Sequence, residues 1–371
     1  MEINGILQQL KDTGNFRTIP QQAPEGLIDL SSNDYLGLGI DNALREKFLS
    51  TADCLNAPFT SSASRLLAGR QNEYTALESQ LSDLYGRHIL LMNSGYHANT
   101  GAISALATGA STLIVADKLV HASIIDGIVL SRARFERFRH NDTAHLARIL
   151  AKLAGDFERV IIVTESVFSM DGDHAPLDEI AALRRAYPNS LLYVDEAHAF
   201  GVEGRMGLGM AQNIPEVDII VGTFGKACAS VGAFIATSRE LRDLMVNRAR
   251  SFIFSTSIPP VNCAWTRFVI DRMTGMDHTR AHLRNLATLL HSTLAPYSTT
   301  PIETSHIQPL VTGDARKAVA LSQQLHELGF HVLPIRTPTV PPGTERLRFS
   351  LSAALTESDI INLASALKSI I

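Results

Sequence analysis

Short runs of consecutive apolar residues recur through the middle of the chain, alternating with segments whose apolar positions return every three or four residues. The runs Ile89–Met92, Thr112–Ala116, Arg159–Thr164, Leu191–Asp195, Asp218–Thr223 and Gly232–Thr237 predict buried strands. Asn72–Gly86 puts Tyr74, Leu77, Leu81 and Leu84 on one helical stripe, and Ala144–Leu153 and Pro176–Tyr187 read as further helices between strands. Such alternation predicts an α/β fold, a largely parallel sheet covered by helices. After about Ser255 the pattern changes. Helical periodicity runs from Pro259 to Leu294, followed by strand candidates at Ile307–Val311, Phe330–Ile335 and Arg346–Leu351, with a helix at Ala315–Leu328 between the first two. A last helix begins near Thr356, whose side chain can cap it with Asp359 at the third position.

Composition narrows the class. The 371 residues are 45% hydrophobic and 19% charged, which describes a well-buried globular protein and not a disordered one. A formal net charge of −4 offers no basic surplus for nucleic acid. Three widely separated cysteines, Cys54, Cys228 and Cys263, have neither disulfide-framework nor zinc-site spacing, which fits a reducing compartment and no metal. Glu2 and several amide side chains stand where a signal peptide needs an apolar core. No apolar stretch approaches the ~18 residues of a membrane span. The expectation is a cytoplasmic protein.

Candidate chemistry sits at strand ends. Lys226 follows the run Asp218–Thr223 in the string Thr223-Phe224-Gly225-Lys226, at the kind of sheet edge where α/β proteins bind ligands. Asp195, thirty-one residues earlier, ends another apolar run in Asp195-Glu196-Ala197-His198. That string also suits a nucleotide-hydrolysing helicase. The helicase reading fails, because Gly225-Lys226 has Ile220 in place of the first glycine of a phosphate loop and Ala227 in place of Ser or Thr. Ser94-Gly95-Tyr96 turns from a strand into a helix, whose N-terminus suits a phosphate. A lysine, a strand-end acid, an anion site and a flat group over the ring are what pyridoxal phosphate requires; His121, four residues after Asp117, is by itself more often structural than functional.

The strings Ser31-Ser32-Asn33-Asp34-Tyr35-Leu36-Gly37, Thr164–Asp173, Asp195–His198 and Thr223–Lys226 resemble, in order and spacing, the α-oxoamine synthase family. These are fold-type I pyridoxal phosphate enzymes that join an amino acid to an acyl thioester with loss of carbon dioxide. The resemblance runs from about Leu27 to the C-terminus. It implies a large cofactor-binding domain with a mostly parallel seven-stranded sheet between helices, over residues 46–255. A smaller α+β domain would occupy 256–371, and residues 1–45 would form an N-terminal segment. Phe138-Arg139-His140-Asn141-Asp142 and the stretch from Ile335 to Arg348 are most similar to the family member of biotin biosynthesis, which uses L-alanine and a pimeloyl thioester on coenzyme A or an acyl carrier protein.

By the same resemblance, Lys226 would hold the cofactor covalently and move protons. Asp195 would pair with the ring nitrogen, His121 would stack on the ring, and His198 and Ser169 would sit near the ring hydroxyl. Gly95, Tyr96 and Thr223 would hold the phosphate, with Thr256 reaching the phosphate of a neighbouring subunit in a homodimer. Arg348 would bind the amino acid carboxylate, and Arg17 and Arg336 the acyl end. Read bare, Arg346 and Arg348 alternate with Leu347 and Phe349 and could be the solvent face of a strand. Glu165 reads either as a hydrogen-bond partner or as a strand-end charge. The stretch Thr60–Gly69 lacks glycines usual in the family, and Ala227 stands where relatives commonly have glycine. Sister enzymes using glycine or serine, an aminotransferase and a non-catalytic relative are the competing readings, and the last should lack the lysine.

Overall fold

The computed structural model describes residues 3–19, 26–69, 71–107 and 109–371. The chain forms two compact units. The larger comprises Gly37–Phe168 and His174–Asp277. The smaller comprises the described residues up to Leu36, with Ser169–Asp173 and His278–Ile371. The units therefore change over at 36/37 and 277/278, where the sequence suggested 45/46 and 255/256, and the short excursion at 169–173 divides the larger unit in sequence.

In the larger unit a seven-stranded sheet runs in the order His88–Met92, Ala233–Thr237, Val217–Thr223, Ser190–Asp195, Arg159–Glu165, Thr112–Asp117, Arg134–Phe138. Only Ala233–Thr237 is antiparallel to its neighbours. The central strands are continuous apolar runs because helices bury both faces, and residues 160–163 and 219–221 are fully inaccessible to solvent. The six runs expected from sequence are six of these strands. The seventh, Arg134–Phe138, is an edge strand carrying three charges, Arg134, Glu136 and Arg137, a common protection against edge-to-edge pairing. The helix Asn72–Tyr85 buries Tyr74, Leu77, Leu81 and Tyr85; Leu84, expected in the stripe, is half-buried.

Two helices beside the sheet, Gly95–Leu106 and Ala122–Ser131, cross at unusually short range. A Cβ on Gly127 would lie 2.9 Å from the Asn99 carbonyl oxygen and 3.2 Å from the Thr100 Cα. Glycine at 127 is what allows the backbones to meet. At Ser62, inside the glycine-poor stretch, the backbone takes φ 53°, a left-handed conformation that costs a non-glycine residue about 1–2 kcal/mol.

The smaller unit holds an antiparallel sheet in the order Leu333–Ile335, Arg346–Ser350, Ile307–Val311, and a parallel pair, Ile28–Asp29 with Phe330–His331. Helices Ile3–Asp12, Ala315–Glu327 and Glu357–Ile370 belong to it, the last opened by the Thr356–Asp359 capping box that the sequence suggested. Among the described residues, no helix is long and apolar enough to cross a membrane.

Candidate active site

Parallel strands deliver their C-terminal ends to one edge of the sheet, and the functional side chains collect there. The strands Arg159–Glu165, Ser190–Asp195 and Val217–Thr223 lie side by side, with Glu165 opposite Asp195 and Asp195 opposite Val221. A pocket of about 170 Å³ opens at these ends, lined by Gly95, Tyr96, Asn99, His121, Ser123, Glu165, Asp195, Ala197, His198, Thr223 and Lys226. Seven residues assigned roles from sequence are therefore brought together: Lys226, His121, Asp195, His198, Gly95, Tyr96 and Thr223.

Lys226 Nζ lies 2.7 Å from His198 Nε2. Asp195 is buried, its Oδ1 accepting the Ala197 N–H at 2.8 Å and its Oδ2 the Asn99 amide at 2.7 Å. His121 caps the helix Ala122–Ser131, and its Nδ1 accepts the Ser123 N–H at 3.2 Å. Much of His121 is solvent-accessible, yet the pocket walls strip enough water from its ring to lower the imidazole pKa. The Lys226 charge works in the same direction and Asp195 against both. Glu165 accepts the His121 backbone N–H, so the residue is a partner in the pocket and more than a strand-end charge. Burial, and then the charge of Asp195, pushes its carboxyl well above the usual range.

The phosphate candidates sit at a helix N-terminus. Ser94 is the N-cap and its side chain accepts the His97 N–H at 3.2 Å. Helix geometry leaves the first N–H groups, those of Gly95 and Tyr96, without intrahelical acceptors and at the positive end of the dipole. The Thr223 hydroxyl lies beside them, donating to the Gly232 carbonyl at 3.1 Å and accepting the Gly225 N–H at 3.2 Å. An amine and a carboxylate from the ends of neighbouring strands, with an N-terminal anion site beside them, form a donor set that fits pyridoxal phosphate. No group of three or more potential metal ligands occurs among the described residues.

The other expected site residues have surroundings of their own. Thr256 forms an isolated bridge with Ser64, and its carbonyl accepts the Asn93 amide at 2.5 Å; it does not line the pocket. Within the smaller unit, Arg348 donates from Nε to the Ser169 carbonyl at 2.6 Å and from Nη2 to Asn33 Oδ1 at 3.2 Å. Arg346 pairs with Asp171. Both arginines are buried, which corrects the solvent-face alternative. Arg17 bonds Thr339 and Arg336 bonds the Gly14 carbonyl. Partial burial, and then the charge of Arg17, lowers the Arg336 pKa, so these two cations are close neighbours.

Sequence reasoning missed three buried polar residues: Asn99 and Ser123 in the pocket wall, and Tyr193, which is bonded to Asn99. The only signal was Asn99 itself, a poor helix former amid the small residues of His97–Ala102. Glu196 was also missed. Its carboxylate accepts the Ser166 hydroxyl at 2.7 Å and the Ala211 N–H at 2.6 Å. Gly209, at φ 90°, leaves the space that a Cβ would otherwise fill 2.6 Å from Glu196 Oε2. Burial raises Glu196 from 4.5 to about 7. A raised acid binds its proton more tightly folded than unfolded, so stability falls as pH rises from about 4.5 to about 7. The full effect is on the order of 3 kcal/mol. Urea unfolding at pH 5 and pH 7 should show about two-thirds of this loss, roughly 2 kcal/mol, in the wild type and much less in Glu196→Gln. The same pH dependence in both proteins would refute it.

The family model for aminotransferase class I and II matches residues 25–367. The chain belongs to that family. A relative from Pasteurella multocida is 46% identical over 98% of this chain and 97% of its own, and one from Glaesserella parasuis is 47% identical over 97% and 98%. Both carry the provisional designation 8-amino-7-oxononanoate synthase. Among solved structures, a serine palmitoyltransferase from S. paucimobilis with a bound PLP–myriocin aldimine superposes with TM-score 0.88 at 29% identity, covering 99% of this chain and 96% of that one. The 8-amino-7-oxononanoate synthase of Francisella tularensis gives 0.78 at 27% identity, covering 93% and 99%.

Proposed function

We propose that this chain is a pyridoxal phosphate-dependent acyltransferase that condenses L-alanine with a pimeloyl thioester, on coenzyme A or an acyl carrier protein. The products are 8-amino-7-oxononanoate, carbon dioxide and the free thiol. The observation that carries the chemistry is the convergence of Lys226 and Asp195, from the ends of neighbouring strands, on one pocket beside a helix N-terminus. The substrate choice is supported by the full-length relatives of that designation.

When bound, the cofactor supplies an electron sink for bonds broken at the amino acid α-carbon. Lys226 would hold it through Nζ and would take and return the proton at that carbon. His198, 2.7 Å away, orients the amine. Asp195 would hold a proton on the ring nitrogen, and Glu165, opposite it on the adjacent strand, anchors the backbone of His121, whose ring would lie against the cofactor face. The N–H groups of Gly95 and Tyr96, with the Thr223 hydroxyl, take the phosphate. Arg348 takes the carboxylate of alanine, Arg17 and Arg336 serve the acyl end, and Ser169 the ring hydroxyl. Thr256 acts on the phosphate of a second copy in a homodimer. These five assignments rest on the sequence motifs.

Thiol release separates the readings. Purified protein is offered alanine, glycine or serine against pimeloyl, acetyl, succinyl and palmitoyl thioesters. Release with alanine and the pimeloyl donor is expected. Release only with serine and a palmitoyl donor would transfer the protein to the reaction named for its structural neighbours, and no release with any pair would contradict acyl transfer.

A further inference from the structure

In the pocket wall runs a polar chain that has no part in the proposed reaction as assigned to Lys226, Asp195 and their partners. Asn99 is 2% exposed and Ser123 and Tyr193 are fully buried. We propose that Asn99 is a positioning residue: its side-chain amide holds the Asp195 carboxylate toward the cofactor ring nitrogen and, through Ser123, sets the His121 ring against the cofactor face. This rests on the pyridoxal phosphate reading of the pocket and extends it to how the ring is gripped.

The donor and acceptor roles follow one from another. A carboxylate oxygen only accepts, so Asn99 must turn its NH₂ group to Asp195 Oδ2, at 2.7 Å. That orientation points Asn99 Oδ1 at the Tyr193 hydroxyl, which donates at 2.6 Å. The second Nδ2 hydrogen goes to Ser123 Oγ at 2.9 Å. The Ser123 hydroxyl is then free to give its own hydrogen to His121 Nδ1, 2.7 Å away. Because the Ser123 backbone N–H also donates to Nδ1, the neutral ring carries its proton on Nε2. One amide thus links the residue at the ring's edge to the residue at its face. The contact between the helices carrying Asn99 and Ser123 is the one that Gly127 permits.

A plain packing role for Asn99 would weaken any ligand of the pocket equally. The positioning role instead concerns the ring nitrogen, and paired ligands distinguish the two. Affinities of the apo protein for pyridoxal phosphate and for its 1-deaza analogue, which keeps the aldehyde and phosphate but has C–H at the ring nitrogen, are measured by absorbance or fluorescence titration. The wild type is expected to prefer pyridoxal phosphate by roughly tenfold or more, the scale of a charge-assisted hydrogen bond. Asn99→Ala is expected to bring that preference to within about threefold of unity, chiefly by weakening pyridoxal phosphate. Tyr193→Phe, which keeps the ring but frees the amide to turn, should reduce the preference by about threefold and serves if Asn99→Ala does not fold. A preference unchanged in these variants overturns the inference and leaves the cofactor assignment standing. A wild type with no preference overturns the assignment of Asp195 to the ring nitrogen, and the inference falls with it.

Discussion

Replacing Lys226 by alanine is expected to lower turnover by about 10⁴-fold or more, since in the proposed reaction it removes both the covalent anchor of the cofactor and the group that moves the α-proton. Lys226→Arg should be equally inactive. A guanidinium keeps the charge but neither forms the covalent link nor deprotonates near neutrality. Both variants should fold, because position 226 is only half-buried, at the sheet edge and outside the packed strands. Steady-state thiol release, with circular dichroism as the folding control, reads the result. Retention of more than about a tenth of wild-type activity by either variant would contradict the role.

The second large effect is expected at Asp195. Asp195→Asn keeps the shape but removes the negative charge that the proposed reaction sets at the ring nitrogen, so the ring would lose its power as an electron sink. A fall in kcat of about 10²–10³ is expected, comparable with losing one preorganised electrostatic contact at a reacting centre. The neighbours magnify the loss. The new amide must either turn its NH₂ toward the donating Ala197 N–H or set it against the donating Asn99 amide, and either way a buried donor loses its acceptor. If Asn99 turns over in response, its bonds to Tyr193 and Ser123 are reversed. A kcat within about threefold of wild type would show that Asp195 carries no catalytic charge.

Much of the fold and of the site was legible from residues alone, for identifiable reasons. Central strands of a parallel sheet are buried on both faces, so runs such as Arg159–Thr164 and Asp218–Thr223 announce themselves. Arg134–Phe138 did not, because an edge strand with three charges in five residues looks like surface. Lys226 and Asp195 stood out because a charged residue at the end of an apolar strand has few reasons to be there. Asn99, Ser123 and Tyr193 are inconspicuous in one dimension, and their meaning comes from the close crossing of two helices. The burial of Arg346 and Arg348 was hidden for the same reason, as their partners Asp171, Ser169 and Asn33 are more than 170 residues away in sequence. The compact units also escaped exact division, because Ser169–Asp173 associates with chain segments remote from it.

The central claim is that pyridoxal phosphate is held through Lys226, and borohydride reduction of the loaded protein tests it most directly. Reduction fixes the pyridoxyl group on the amine that carries it, and peptide mass spectrometry then locates the modified residue. The account predicts one modified site, on the peptide containing Thr223-Phe224-Gly225-Lys226. Modification of another lysine, or none despite bound cofactor, would contradict it.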